Sequence, residues 1–179
     1  HLHQSAAIGR DENYLVATGT GSGKTESFLF PLIDDLLRHG ELERPGVRAI
    51  LVYPLNALAN DQMHRIARLL FRDLGDPGIT LGRFTGQVRS DATRSEEEGR
   101  LTATPTFQAD FPDARRAPRN WLLARGEMLQ TPPHILVTTP ESLYVLLGSD
   151  SGRQMLASTR TVIVDEIHAI AASKRGSHM

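Results

Sequence analysis

The chain has 179 residues, 40% of them apolar and 23% charged, which fits one soluble globular domain built around a single core. It contains no cysteine, which excludes a disulfide framework, a thiolate zinc site and cysteine redox chemistry, and is compatible with a reducing, cytoplasmic compartment. A net charge of −1 gives no general basic field for a phosphate polymer, and with no signal peptide and no apolar run near the roughly 18 to 20 residues that span a bilayer, a membrane partner is not expected.

In chain order, the apolar run Tyr14–Ala17 reads as a strand buried on both faces. It leads into Ala17-Thr18-Gly19-Thr20-Gly21-Ser22-Gly23-Lys24-Thr25-Glu26, a phosphate-binding loop. Its glycines let successive N–H groups point inward at the start of a helix, where the dipole adds positive potential. In that setting Gly19, Thr20, Gly21, Ser22 and Gly23 cradle phosphates, Lys24 neutralises the β and γ groups, and the Thr25 hydroxyl joins a Mg²⁺ shell. The strict pattern has glycine where this chain has Thr18.

A helix is expected from Lys24 to His39, because Phe28, Leu29, Leu32, Ile33, Leu36 and Leu37 recur at a period near 3.6. Gly40 is its expected cap, Arg38 and His39 suit its negative end, and Pro31 should kink it. A strand follows at Ala49–Tyr53, then a helix from about Asn56 to Leu74 that ends near Gly75, then a strand at Ile79–Phe84. The stretch 87–133 breaks this rhythm with several prolines, the acidic run Glu96 to Glu98 and a basic cluster of Arg115, Arg116 and Arg119, and reads as an insertion. Its end, around Arg119 to Leu129, is expected as a short helix carrying Trp121, Leu122 and Leu123. The acidic run reads as a solvated face, and the arginines beside Trp121 as a solvated loop rather than a nucleic-acid grip.

Further strands are expected at Ile135–Thr138 and Val162–Val164. The alternation of strands and helices predicts an α/β fold: an open, mostly parallel sheet with helices on both faces and ligands at the carboxyl ends of the strands. Thr139-Pro140 after the fourth strand looks like a hydroxyl N-cap followed by proline at the first helical position, leaving N–H groups aimed outward. The last strand delivers Asp165 and Glu166 to its carboxyl end. Such a pair alone is usually a solvated turn. Behind a phosphate loop, Asp165 becomes a Mg²⁺ partner, acting through water, and Glu166 the group that orients and deprotonates an attacking water. The final Gly176-Ser177-His178-Met179 resembles a cloning scar but runs smoothly from the residues before it and is read as native.

These two motifs resemble motifs I and II of the superfamily 2 DEAD/DEAH-type helicases, the second in its Asp165-Glu166-Ile167-His168 form. Tyr53 to Gln62 resembles motif Ia, Gly82 to Gly86 motif Ib, and Thr138 to Leu143 the Thr-Pro-Glu motif, all in the family's order. The segment Asp165 to Ser177 is similar to the Lhr-like enzymes, and Glu26 to Gln62 to the repair helicases with a DUF1998 tail. The resemblance implies a RecA-like P-loop NTPase domain over residues 1–179, the first of two in a longer chain, working with ATP and Mg²⁺. It implies that Pro54, Asn56, Thr85, Gly86, Thr139 and Pro140 touch the sugar-phosphate backbone of one strand, more in keeping with DNA than RNA and with 3′-to-5′ travel. Such contacts read no sequence.

Gln4 lies where the family places an adenine-reading glutamine, and reads equally as an exposed polar residue near the chain end. His168 is either a relay of nucleotide state to a second RecA-like domain or a structural histidine. The function so implied is an ATP-dependent helicase motor. The alternatives are a duplex translocase of a restriction or phage-defence system, and a nucleotide-switched binding module.

Overall fold

The computed structural model describes residues 24–171. The chain divides after Glu41 into two compact units. In the first, helix α1 (Lys24–His39) runs through Pro31, and Leu29, Leu32, Ile33 and Leu36 are buried at the expected spacing. Leu37 is exposed, while Asp34–Arg38 and Asp35–His39 pairs line the solvent face one turn apart. Gly40 donates its N–H to the Leu36 carbonyl, but the left-handed residue is Glu41, with φ 49°. Glycine stands at 40 for a different reason: a Cβ there would strike the Leu36 carbonyl oxygen.

Among the described residues the second unit holds a parallel sheet of five strands: β1 (Ala49–Val52), β2 (Leu81–Phe84), β3 (Trp121–Leu122), β4 (Ile135–Thr138) and β5 (Thr161–Val164). Their order is β3-β2-β4-β1-β5, with the fully buried β1 and β4 at the centre. Helix α2 (Asn56–Arg68) crosses from β1 and packs on β2 and β4, then continues as a single π turn (Leu69–Asp73). It stops before Gly75, whose φ of 68° suits a residue without Cβ. Of its apolar residues, Met63, Ile66 and Leu70 are buried, whereas Leu58 and Leu69 are only partly so.

The segment after β2 forms α3 (Arg94–Thr102), α4 (Pro105–Asp110), β3 and α5 (Arg125–Gln130). Two expectations change here. Trp121 and Leu122 do not sit on a helix but pair with Leu81 and Gly82 at the sheet margin, and the helix begins at Arg125. As successive residues of a strand they face opposite ways: Trp121 meets His64, Phe71, Phe107 and Phe111, and Leu122 joins the cluster of Val52, Phe84 and Leu136 on the other face. The acidic run is not merely solvated either. Glu96 closes a capping box with Thr93, Glu97 pairs with Arg100, and Glu98 accepts the Ala117 N–H.

Helices α6 (Pro140–Gly148) and α7 (Asp150–Leu156) cover that second face with Leu146, Met155 and Leu156. Ser149 ends one helix and caps the next, accepting the Gly152 N–H at 3.1 Å. With helices on both faces of a parallel sheet, the architecture is the expected α/β, RecA-like one. Helix α8 (Ile167–Ala171) follows β5, and among the described residues no helix is long and apolar enough to cross a membrane. The expected strand Tyr14–Ala17 lies outside the described residues.

Candidate nucleotide and nucleic-acid site

The register sets Phe84, Thr138, Val52 and Val164 in one row across four adjacent strands. Because all strands run the same way, the segments that follow this row leave the sheet from one edge, and six expected strand-contact residues share that edge with Asp165 and Glu166. The row is continued by bonds from the Tyr53 N–H to the Thr138 carbonyl (3.0 Å) and from the Asp165 N–H to the Val52 carbonyl (3.1 Å). The Thr138 hydroxyl donates to the Phe84 carbonyl at 2.7 Å. The edge is thus a rail held by hydrogen bonds, with loops mounted along it.

At the β5 end of the rail, Asp165 Oδ1 accepts the N–H of Glu166 at 2.8 Å. Glu166 has φ 52°, the left-handed region that costs a non-glycine residue free energy. Its Oε2 lies 3.2 Å from Nε2 of the exposed His168. Both acids are half-buried, and among the described residues no lysine or arginine pairs with Asp165. A half-buried carboxylate with no cationic partner and only hard oxygen donors fits a divalent cation such as Mg²⁺. Behind it, burial and then the Asp165 charge push the Tyr53 phenol well above its ordinary range, and its hydroxyl has no partner among the described residues.

Along the rest of the rail, Gly86 is exposed and Asn56 half-exposed, whereas Pro54, Thr85, Thr139 and Pro140 are buried. The Thr139 hydroxyl does not cap the helix as expected. It reaches the Ser142 hydroxyl at 3.3 Å, and the first turn of α6 keeps its N–H groups without a side-chain cap. Oxygen atoms of Asn56 and Thr85 are enclosed without a bonding partner among the described residues. Arg125, unremarked in the sequence, donates to the Thr85 carbonyl at 2.6 Å and lies over the Phe84 ring at 4.7 Å. No local pattern announces it, since its two partners lie about forty residues upstream.

Trp121 is 2% exposed and walled in by aromatic rings, so it offers no stacking face beside the exposed Arg115, Arg116 and Arg119. Gln4, Gly19, Thr20, Gly21, Ser22 and Gly23 lie outside the described residues. Lys24 and Thr25 are the first two residues of the described α1, and Thr25 is buried.

A family model described as DEAD/DEAH box helicase matches residues 3–179. The ATP-dependent helicase Lhr-Core of Methanothermobacter thermautotrophicus is 38% identical over 175 residues, covering 96% of this chain and 17% of the relative. The Lhr-Core helicase of Sulfolobus acidocaldarius is 35% identical over 181 residues, covering 96% and 17% respectively. A solved structure of the Mycobacterium smegmatis helicase Lhr, bound to ssDNA and AMP-PNP, matches with a TM-score of 0.62 and 34% identity over 98% of this chain and 19% of that one. The chain thus spans less than a fifth of the length of each of these relatives.

Proposed function

We propose, from the premise that this chain belongs to the DEAD/DEAH box helicase family, that it is the ATP-binding motor domain of a helicase acting on single-stranded DNA. The observation that carries this reading is the shared carboxyl edge, where a pair of carboxylates and the segments after β1, β2 and β4 stand in one hydrogen-bonded row. Support also comes from the similar Lhr structure, which holds ssDNA and an ATP analogue.

In this reading the loop from Gly19 to Gly23 and Lys24 bind the phosphates, Gln4 takes the adenine, and Thr25 and Asp165 hold Mg²⁺. Bound there, the ion neutralises charge on the phosphates as the terminal one is transferred. Glu166 orients the attacking water and takes its proton. His168, within 3.2 Å of that carboxylate, couples the nucleotide state to a second RecA-like domain of the same protein. The strand's phosphates meet the exposed backbone at Gly86, the Asn56 side chain and the uncapped N–H groups behind Thr139 and Pro140, while Pro54 and Thr85 shape those turns.

The test is steady-state ATP hydrolysis by the full-length protein with and without single-stranded DNA, beside unwinding of a duplex with a 3′ overhang. DNA-stimulated turnover that Lys24→Ala abolishes is the expected result. Turnover indifferent to DNA, or unaffected by the Lys24 substitution, would overturn the assignment.

A further inference from the structure

We propose that Arg125 is a further contact for the bound strand, giving the free edge of its guanidinium to a phosphate oxygen beside the Thr85-Gly86 turn, a role that presupposes the strand-binding reading above. Arg125 opens α5 directly behind β3, and three features of its setting converge. The first is its charge. It is half-buried, yet among the described residues no carboxylate pairs with it. Glu127, the acid two residues on, is already engaged: Oε1 accepts from Arg94 at 2.6 Å and Oε2 from the Leu123 N–H at 3.0 Å. A guanidinium drawn out of water without a counter-charge is unfavourable, and an anion arriving beside it relieves that cost.

The second is orientation. One face of the guanidinium lies on the Phe84 ring, Nη2 is fixed to the Thr85 carbonyl, and Nε is enclosed without a partner. Nη1 is neither bonded nor enclosed, so the planar group is held rigid with one edge unspent. A fixed fork of N–H donors suits a phosphate oxygen better than a mobile ammonium does. The third is place. The fixed edge lies next to the exposed backbone of Gly86, on the rail where the strand is to run. In a chain of net charge −1, attraction to phosphate has to come from such local cations.

A contact with phosphate releases counterions, and a packing role does not, so the salt dependence of binding separates the two. The measurement is the affinity of the full-length protein, with AMP-PNP present, for an oligo-dT strand across a series of salt concentrations. Arg125→Gln keeps an N–H for the Thr85 carbonyl while removing the charge. It should lower the slope of log affinity against log salt by about 0.7, the value for one phosphate on a single strand. Arg125→Lys should retain the slope, and Arg125→Ala should lose both slope and affinity. A Gln variant with the wild-type slope would overturn the proposal even if the Ala variant failed to fold, leaving the strand-binding reading intact. Failure of the wild-type protein to bind any strand would remove that reading and this one together.

Discussion

Glu166 stands beside Asp165, just past the end of β5, in left-handed backbone, and a residue other than glycine holds that conformation at a cost of order 1 kcal/mol. Glycine would relax the turn but supply no carboxylate, so the strain is what the site tolerates to keep an acid there. Glu166→Gln in the full-length protein should lower ATP turnover by about 10² to 10⁴ while nucleotide affinity changes little, because an amide cannot accept the water's proton. Asp165→Asn should instead raise the Mg²⁺ concentration needed for binding. Calorimetric titration of AMP-PNP at several Mg²⁺ levels, beside a steady-state hydrolysis assay, reads both effects. A Gln variant that hydrolyses ATP at the wild-type rate would place the general base elsewhere. The two acids were legible in the sequence because adjacent residues at the end of one apolar strand make a local pattern. Tyr53 and Arg125 were not, since what defines them is a neighbour on another strand or helix, and the burial of Pro54, Thr85, Thr139 and Pro140 also depends on contacts the motif spelling does not carry.

Among the elements, the junction that joins β2, β4 and the Arg44 loop depends on one neutral ring. His134 is 2% exposed, its Nδ1 accepts the Thr80 N–H at 3.0 Å, and its Nε2 faces the Arg44 carbonyl at 3.2 Å. Burial holds its pKa below the ordinary histidine value, the Arg44 carbonyl opposing and the Arg48 charge adding to the effect; His64 is lowered likewise, chiefly by burial. The unfolded chain therefore takes up protons first on acidification. Their stabilisation is complete above the unfolded pKa of about 6.5 and is lost as pH falls below it, at up to about 1.4 kcal/mol per pH unit for each ring. Urea unfolding at about pH 7.5 and about pH 5.5 should show the chain weakened at the lower value, with His134→Gln weakened less. Equal pH sensitivity in the two proteins would count against this account. Strands β1 and β4 were readable because buried parallel strands give continuous apolar runs, whereas β2 is interrupted by Arg83 and β5, expected to be buried on both faces, is only partly buried among the described residues, with Val162 exposed. Strand β3 was not: two residues carry no period, and Trp121 is placed by rings from Phe71, Phe107 and Phe111 that only the fold assembles. Helix α3 did leave a signal, the Thr93–Glu96 capping box, which the acidic run obscured.

At the scale of the whole molecule, the proposed reading gives this chain one grip and part of a nucleotide site, and the chain spans less than a fifth of the length of the relatives it matches. If positive charge at the terminal phosphate comes from a second RecA-like domain, residues 1–179 alone should hydrolyse ATP about 10³ to 10⁵ times more slowly than the DNA-stimulated full-length protein. They should also unwind nothing. Strong DNA-stimulated turnover by the chain alone would show that it carries a complete motor. The proposed place of this domain in a two-domain machine rests, within the sequence, only on the order of its motifs, since nothing in composition or charge announces nucleic acid. The strand order also has a bearing on how such a machine can be altered. The excursion after β2 returns through β3 at the margin of the described sheet, so the pairing of β2, β4, β1 and β5 does not depend on how long that excursion is. Its stretch 112–116 is exposed throughout. A fluorescent reporter spliced in there would leave the rail of loops in place, which makes this bend the natural graft point for following the domain in the proposed motor.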